Sequence, residues 1–184
     1  MRWFAGLIFV LGASLGGCGS FSFGSLSVGT FSRFAVPGEL APPANQKLDR
    51  VIAAKGVQIY RCDPKKDQPG KVEWVFQAPE AILRDTAGKY VGKHYAGPTW
   101  EAEDGSKVVG TVQASVAAPG RSSIPWLRLS TRSTGGAGVF AGVTTIVRVG
   151  TSYGLPPAGG CNELEQGRIV RVEYDADYNF YVNK

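Results

Sequence analysis

"TWEAEDGSKVVGTVQASV", Thr99 to Val116, decides the fold of this chain. Two stretches of alternating side chains flank an Asp-Gly pair, a strong local signal for a β-hairpin. Neighbouring side chains on a strand point to opposite faces, so the loop length decides where the glutamates go. A two-residue loop at Asp104-Gly105 pairs Glu103 with Ser106 and Glu101 with Val108. Both carboxylates then share the face of Val108, Val112 and Ala114, where burial would perturb them. A three-residue loop pairs Glu103 with Lys107 and Ala102 with Val108 and lays Trp100 over Gly110. The second register is the expectation, because every cross-strand pair in it is compatible.

Just upstream lies His94, the only histidine of the chain. With Glu101 and Asp104 it forms a candidate polar site for acid/base work or a divalent ion. One imidazole without a free thiol is a poor zinc set, so no metal and no cofactor are expected. The leading reading of His94 is a hydrogen-bonded structural residue.

Further along the chain, "VQIYRC", "VEWVFQ", "IPWLRLSTR", "VTTIVRV", "RIVRVEY" and "DYNFYV" are short, rich in β-branched and aromatic residues, and separated by turn formers. They predict a mainly β domain over 45–184, a single antiparallel sandwich or barrel of roughly 140 residues. Leu48, Val51 and Ile52 stand at i, i+3 and i+4 after Asn45 and before Gly56, which predicts one short N-terminal helix. In "YDADYNFYV", Asp175, Asp177, Asn179 and Tyr181 point one way and Ala176, Tyr178, Phe180 and Val182 the other, as in a half-buried strand.

The chain opens "MRWFAGLIFVLGASLGGC". One arginine, an apolar run too short to span a bilayer, and small residues before Cys18 read as a secretion signal over 1–17. Leu15, Gly16, Gly17 and Cys18 resemble the bacterial lipobox, which implies lipidation of Cys18 and anchoring in a membrane. Gly19, not Asp, follows the cysteine, which under lipoprotein sorting habits suggests the outer membrane, with the domain facing the periplasm. Residues 18–44, rich in Gly, Ser, Phe and Pro, read as a tether. Phe21, Phe23, Phe31 and Phe34 are awkward in a free linker, so part of it is expected to lie on the domain.

In an oxidising compartment the remaining pair, Cys62 and Cys161, is most simply a disulfide. The formal net charge of +5 falls to +4 without Arg2, and basic residues are interspersed with acids. That pattern and the exported address argue against nucleic acid as a partner.

Three strings imitate catalytic or ligand motifs and fail on context. "GTSYG", 150–154, lacks the helix and later histidine of a nucleophile elbow. "GAGVFA", 136–141, is followed by a strand and no suitably spaced acid, so it is not a dinucleotide fingerprint. "DADYN", 175–179, has Phe180 where a calcium loop needs glycine.

Together "KGVQIYRC", "HYAGPTWEAEDGSKVVG", "IPWLRLSTR", "TIVRVGTSYGLPPAGGC" and "YDADYNFY" resemble the domain-of-unknown-function 3455 family over roughly Ala44 to Tyr181. The resemblance implies a β-rich exported domain with Cys62 and Cys161 at the family's two cysteine positions; it implies no activity. The family usually has Thr-x-Gly-Gly where this chain has Thr151-Ser152-Tyr153-Gly154.

The functional expectation is a lipid-anchored envelope protein that binds a ligand or partner without catalysing a reaction. Trp74, Tyr95, Trp100 and Trp126 are the candidate aromatic groove, for an envelope glycan, peptide or protein. The alternative is an envelope enzyme, a hydrolase or metal-dependent, using His94 with Glu101 or Asp104.

Overall fold

A computed structural model describes residues 31–184. The leader, Cys18 and the tether as far as residue 30, with Phe21 and Phe23, lie outside the described residues. Eight antiparallel strands follow in chain order: β1 Gln46–Pro64, β2 Val72–Arg84, β3 Tyr90–Tyr95, β4 Thr99–Ala102, β5 Lys107–Val116, β6 Trp126–Ser133, β7 Val143–Tyr153 and β8 Ile169–Asn183. Each pairs with the next, and β8 returns to pair with β1, so one sheet closes into a barrel-like ring. The mainly β expectation holds, and no α-helix is present among the described residues, only three 3-10 turns.

The helix expected over 45–56 is instead the first part of β1. The register against β8 shifts between Leu48 and Arg50, a bulge at Asp49. An extra residue in a strand resets the alternation of faces. Leu48 therefore packs on an outer cluster while Ile52 and Ala54 enter the barrel core. Apolar residues on both sides of a phase shift imitate helical spacing. Gly56 is not a helix stop: a Cβ there would stand 2.1 Å from the Glu80 carbonyl oxygen, so only glycine lets β1 and β2 approach this closely.

The hairpin loop has the expected three residues, but they are Glu103-Asp104-Gly105. The Ala102 amide donates to the Ser106 carbonyl at 2.9 Å, and Glu101, not Glu103, stands opposite Lys107. Trp100 pairs with Val108, although its ring still covers Gly110, where a Cβ would lie 2.9 Å from Cζ3. The faces are those of the expected register: Trp100, Ala102 and Val108 are buried inside.

Inside the ring, Leu83, Trp100, Leu129, Ile146, Tyr178 and Phe180 form the centre of the core. A second cluster lies outside the sheet, where Leu40 packs with Trp126, Val147, Val149 and Tyr181. Residues 31–44, the last part of the expected tether, thus lie along the barrel. Phe34 meets Trp126 edge-on at 6.1 Å, and Arg33 is ion-paired with Asp177. This strap buries the polar face of β8 too, so β8 keeps its predicted alternation but is covered on both sides around Asp177 and Asn179.

Cys62 and Cys161 form a disulfide that fixes the β7–β8 connection to the end of β1. On the chain-entropy model a loop of this length contributes roughly 4.7 kcal/mol.

Candidate functional site

His94 sits on the inner face of β3, 2 % exposed and opposite Trp100. Its Nδ1 lies 2.8 Å from the Thr99 carbonyl oxygen, which fixes Nδ1 as the protonated nitrogen and leaves Nε2 an acceptor. The ring stacks on Trp100 and meets Tyr178 edge-on. Burial, opposed in part by the Thr99 bond, lowers its pKa to about 3, so the imidazole is neutral at physiological pH.

Glu101 is one residue on from Trp100 and therefore on the outer face. It accepts from the Tyr95 hydroxyl and faces Lys107 at 3.2 Å and Lys93 at 3.6 Å. The Tyr95 bond first, then Lys107, holds its carboxyl below the usual range. Asp104 belongs to the turn: it accepts from the Ser106 hydroxyl at 2.6 Å, the Ser106 amide at 2.9 Å and the Val139 amide at 2.8 Å. The Ser106 hydroxyl bond is the main reason that its pKa also lies low. The candidate polar site therefore does not assemble: its members stand inside the barrel, outside it, and in a turn. Among the described residues no group of three or more His, Cys, Asp or Glu could hold a metal ion.

The four groove candidates are equally dispersed. Trp74 donates to the Gly160 carbonyl beside the disulfide, Tyr95 serves Glu101, and Trp126 lies under Phe34. Trp100 alone borders the cavity that matters.

That cavity, of about 290 Å³, opens in the barrel near the β3–β4 turn. Apolar surface comes from Phe76, Pro79, Trp100, Leu127 and Leu129; polar groups come from Gln58, Gln77, His94, Arg148 and Tyr178. The register explains their meeting: Gln58 and Arg148 continue the inward phases of β1 and β7, and Arg148 stands between Leu127 and Tyr178 on its neighbours.

Three buried donors around it have no hydrogen-bond partner: Gln58 Nε2, Trp100 Nε1 and the Tyr178 hydroxyl. The Tyr174 hydroxyl lies behind, close to that of Tyr178 but without hydrogen-bond geometry to it, and burial first, then Tyr178, pushes its pKa up. Leaving a buried donor unmatched costs about 1–3 kcal/mol, so a cluster of them is a place where water or a ligand can supply acceptors. Arg148 adds the charge. Its Nε and Nη2 donate to the Pro125 carbonyl at 3.1 and 2.8 Å, and no carboxylate among the described residues pairs with it.

A larger cavity, about 490 Å³, opens at the other end of the barrel between Arg50, Tyr90 and Phe140. Three of its polar residues are engaged, Asp104 as above, Arg50 with Asp49, and Asp85 with the amides of Ala87 and Lys89, while Thr86, Lys89, Tyr90 and Glu103 are exposed to solvent. Size favours that end; unmet hydrogen-bonding capacity favours the Trp100 end.

Gln58 and Arg148 were not among the sequence candidates. Their signal is a polar residue on the apolar face of a strand, visible only once the inward phases of β1 and β7 are fixed.

A family model described as "Protein of unknown function (DUF3455)" matches residues 42–182, most of the chain, and the chain belongs to that family. No curated protein and no solved structure matches the chain.

Proposed function

We propose that this member of the DUF3455 family is a lipid-anchored protein of the bacterial cell envelope that binds a small organic ligand in the mouth of its barrel, without transforming it. The observation that carries the binding reading is the cavity beside Trp100, where an apolar surface and three unpartnered buried donors meet. Ligand pockets generally combine a mostly apolar lining with a few convergent polar groups. At about 290 Å³ the cavity suits a small molecule better than a glycan chain or peptide. The envelope-enzyme alternative needs His94 within reach of Glu101 or Asp104 in an open cleft. The separation of the three residues, and the commitment of His94 Nδ1 to the backbone, favour binding over catalysis.

The address rests on the sequence: a short apolar leader ending in Leu15-Gly16-Gly17-Cys18, with Gly19 next. Acylation of Cys18 supplies the membrane contact, in the outer membrane on its periplasmic side, and several acyl chains on one terminus make a lasting anchor.

Two measurements test this reading. Growth with a clickable fatty acid should label the wild-type chain and not Cys18→Ser; label on the variant would refute the anchor. A library of small organic fragments should shift the Trp100 indole N–H resonance; a library that leaves it unmoved would refute the binding site.

A further inference from the structure

Resting on that binding reading, we infer that the cavity takes a small, flat organic carboxylate, its acid group at Arg148 and its apolar body against Trp100 and Leu127.

Gln58 Nε2 and Trp100 Nε1 are donors that cannot accept, the Tyr178 hydroxyl has a proton to give, and they come from β1, β4 and β8. Arg148, on β7, adds a permanent positive charge and further N–H groups. No aspartate or glutamate lines the cavity. Arg148 is half-buried at the cavity wall, and its charge is felt by His94, Tyr60 and Tyr174. One cation, several donors and no acid define the complement: an anion rich in acceptor oxygens. The acceptors offered in return, the neutral His94 imidazole, the Tyr178 hydroxyl oxygen and the amide oxygens of Gln58 and Gln77, suit a hydroxyl of the same ligand.

The remaining lining sets the body of the ligand. Phe76, Pro79, Trp100, Leu127 and Leu129 offer carbon surface, which does not match an inorganic anion or a sugar. An apolar cavity of about 150 Å³ is large enough for benzene. About 290 Å³ therefore accommodates a one- or two-ring acid.

The test uses the full chain, ¹⁵N-labelled, at pH 7, with matched acid and amide probes: benzoate and benzamide, cinnamate and cinnamamide, 2-naphthoate and 2-naphthamide. The Trp100 indole N–H is assigned by comparison with Trp3→Phe, Trp74→Phe and Trp126→Phe, and affinities are read from its shift. In at least one pair the acid should bind about tenfold more tightly than its amide, the advantage of a charge-assisted bond. Arg148→Met should abolish that preference. Equal binding of acid and amide in the wild type, or a preference that survives Arg148→Met, overturns the carboxylate and leaves the binding site standing. No shift with any probe overturns both. The wild-type contrast decides by itself where Arg148→Met does not fold.

Discussion

The His94 imidazole stacks on the Trp100 indole with ring centroids 4.3 Å apart and planes 17° apart, while its Nδ1 bonds the Thr99 carbonyl. A protonated ring in this position would be a buried cation without a carboxylate partner and with Arg148 nearby. The folded chain therefore resists protonation of His94 down to about pH 3, whereas the unfolded chain takes up that proton near 6.5. Between those values the unfolded state binds more protons, so stability falls as pH falls. The loss is roughly 2 kcal/mol by pH 5, and none is expected above neutral pH. Glu101 and Asp104, also held low, add their own acid sensitivity only further down, below the ordinary carboxylate range. Urea unfolding between pH 7.5 and 5 should show this slope in the wild type and a flatter one in His94→Gln. Coincident slopes would mean that the imidazole is solvated.

Arg33 and Asp177 raise a different question, since the Asp177 side chain is only 4 % exposed while the Arg33 side chain is 61 % exposed. The pair joins the strap to β8 beside Asn179, whose amide donates to Ser32 Oγ at 2.8 Å. Removing the arginine leaves a nearly buried carboxylate unpaired. Arg33→Ala should cost about 1–3 kcal/mol, well above an ordinary exposed ion pair. Hydrogen exchange should rise at Val147 and Val149, which the strap helps to cover. Adding Asp177→Asn to Arg33→Ala should recover part of the loss, because the stranded charge is gone. A denaturation midpoint for Arg33→Ala equal to that of the wild type would mean that the strap does not seal β8.

How far the sequence reaches can be judged at β8, β1 and the Thr99–Val116 hairpin. In β8 alternation alone sorted Tyr178 and Phe180 inward and Asp177 and Asn179 outward, because no bulge interrupts that stretch against β1. In β1 the bulge at Asp49 broke the period, and pairing with strands on both sides outweighed the local helical pattern. The hairpin faces were legible, but its loop lies one residue earlier than expected. Ser106 is fully buried there, its hydroxyl accepting from the Phe140 amide at 3.0 Å while Asp104 binds Val139. Those partners are over thirty residues away, and no local pairing rule contains them. The same holds for the cavity. Gln58, Trp100, Arg148 and Tyr178 lie far apart along the chain and meet only through closure of the ring, whereas His94, Glu101 and Asp104 lie close in sequence and are separated by it.

Tyr153 offers a prediction of opposite sign. It ends β7 with φ +57°, a left-handed conformation that costs most side chains about 1–2 kcal/mol, and it is 69 % exposed. The surrounding turn over-determines it. The register against β8 shifts between Val149 and Ser152, the Ile124 amide donates to the Tyr153 carbonyl at 2.9 Å, and the Tyr60 hydroxyl donates to the Gly154 carbonyl at 2.6 Å. This is also the position at which the chain departs from the Thr-x-Gly-Gly pattern of the family it resembles. Glycine adopts the conformation without strain but loses more backbone entropy on folding, about 0.5–1 kcal/mol. The strain relieved exceeds that loss, so Tyr153→Gly should stabilise the chain by up to about 1 kcal/mol, and Tyr153→Val, with a branched Cβ, should destabilise it. Thermal unfolding of the two variants beside the wild type measures both. If glycine proves no better than tyrosine, cross-strand contact with Tyr174 contributes as much as the left-handed backbone costs.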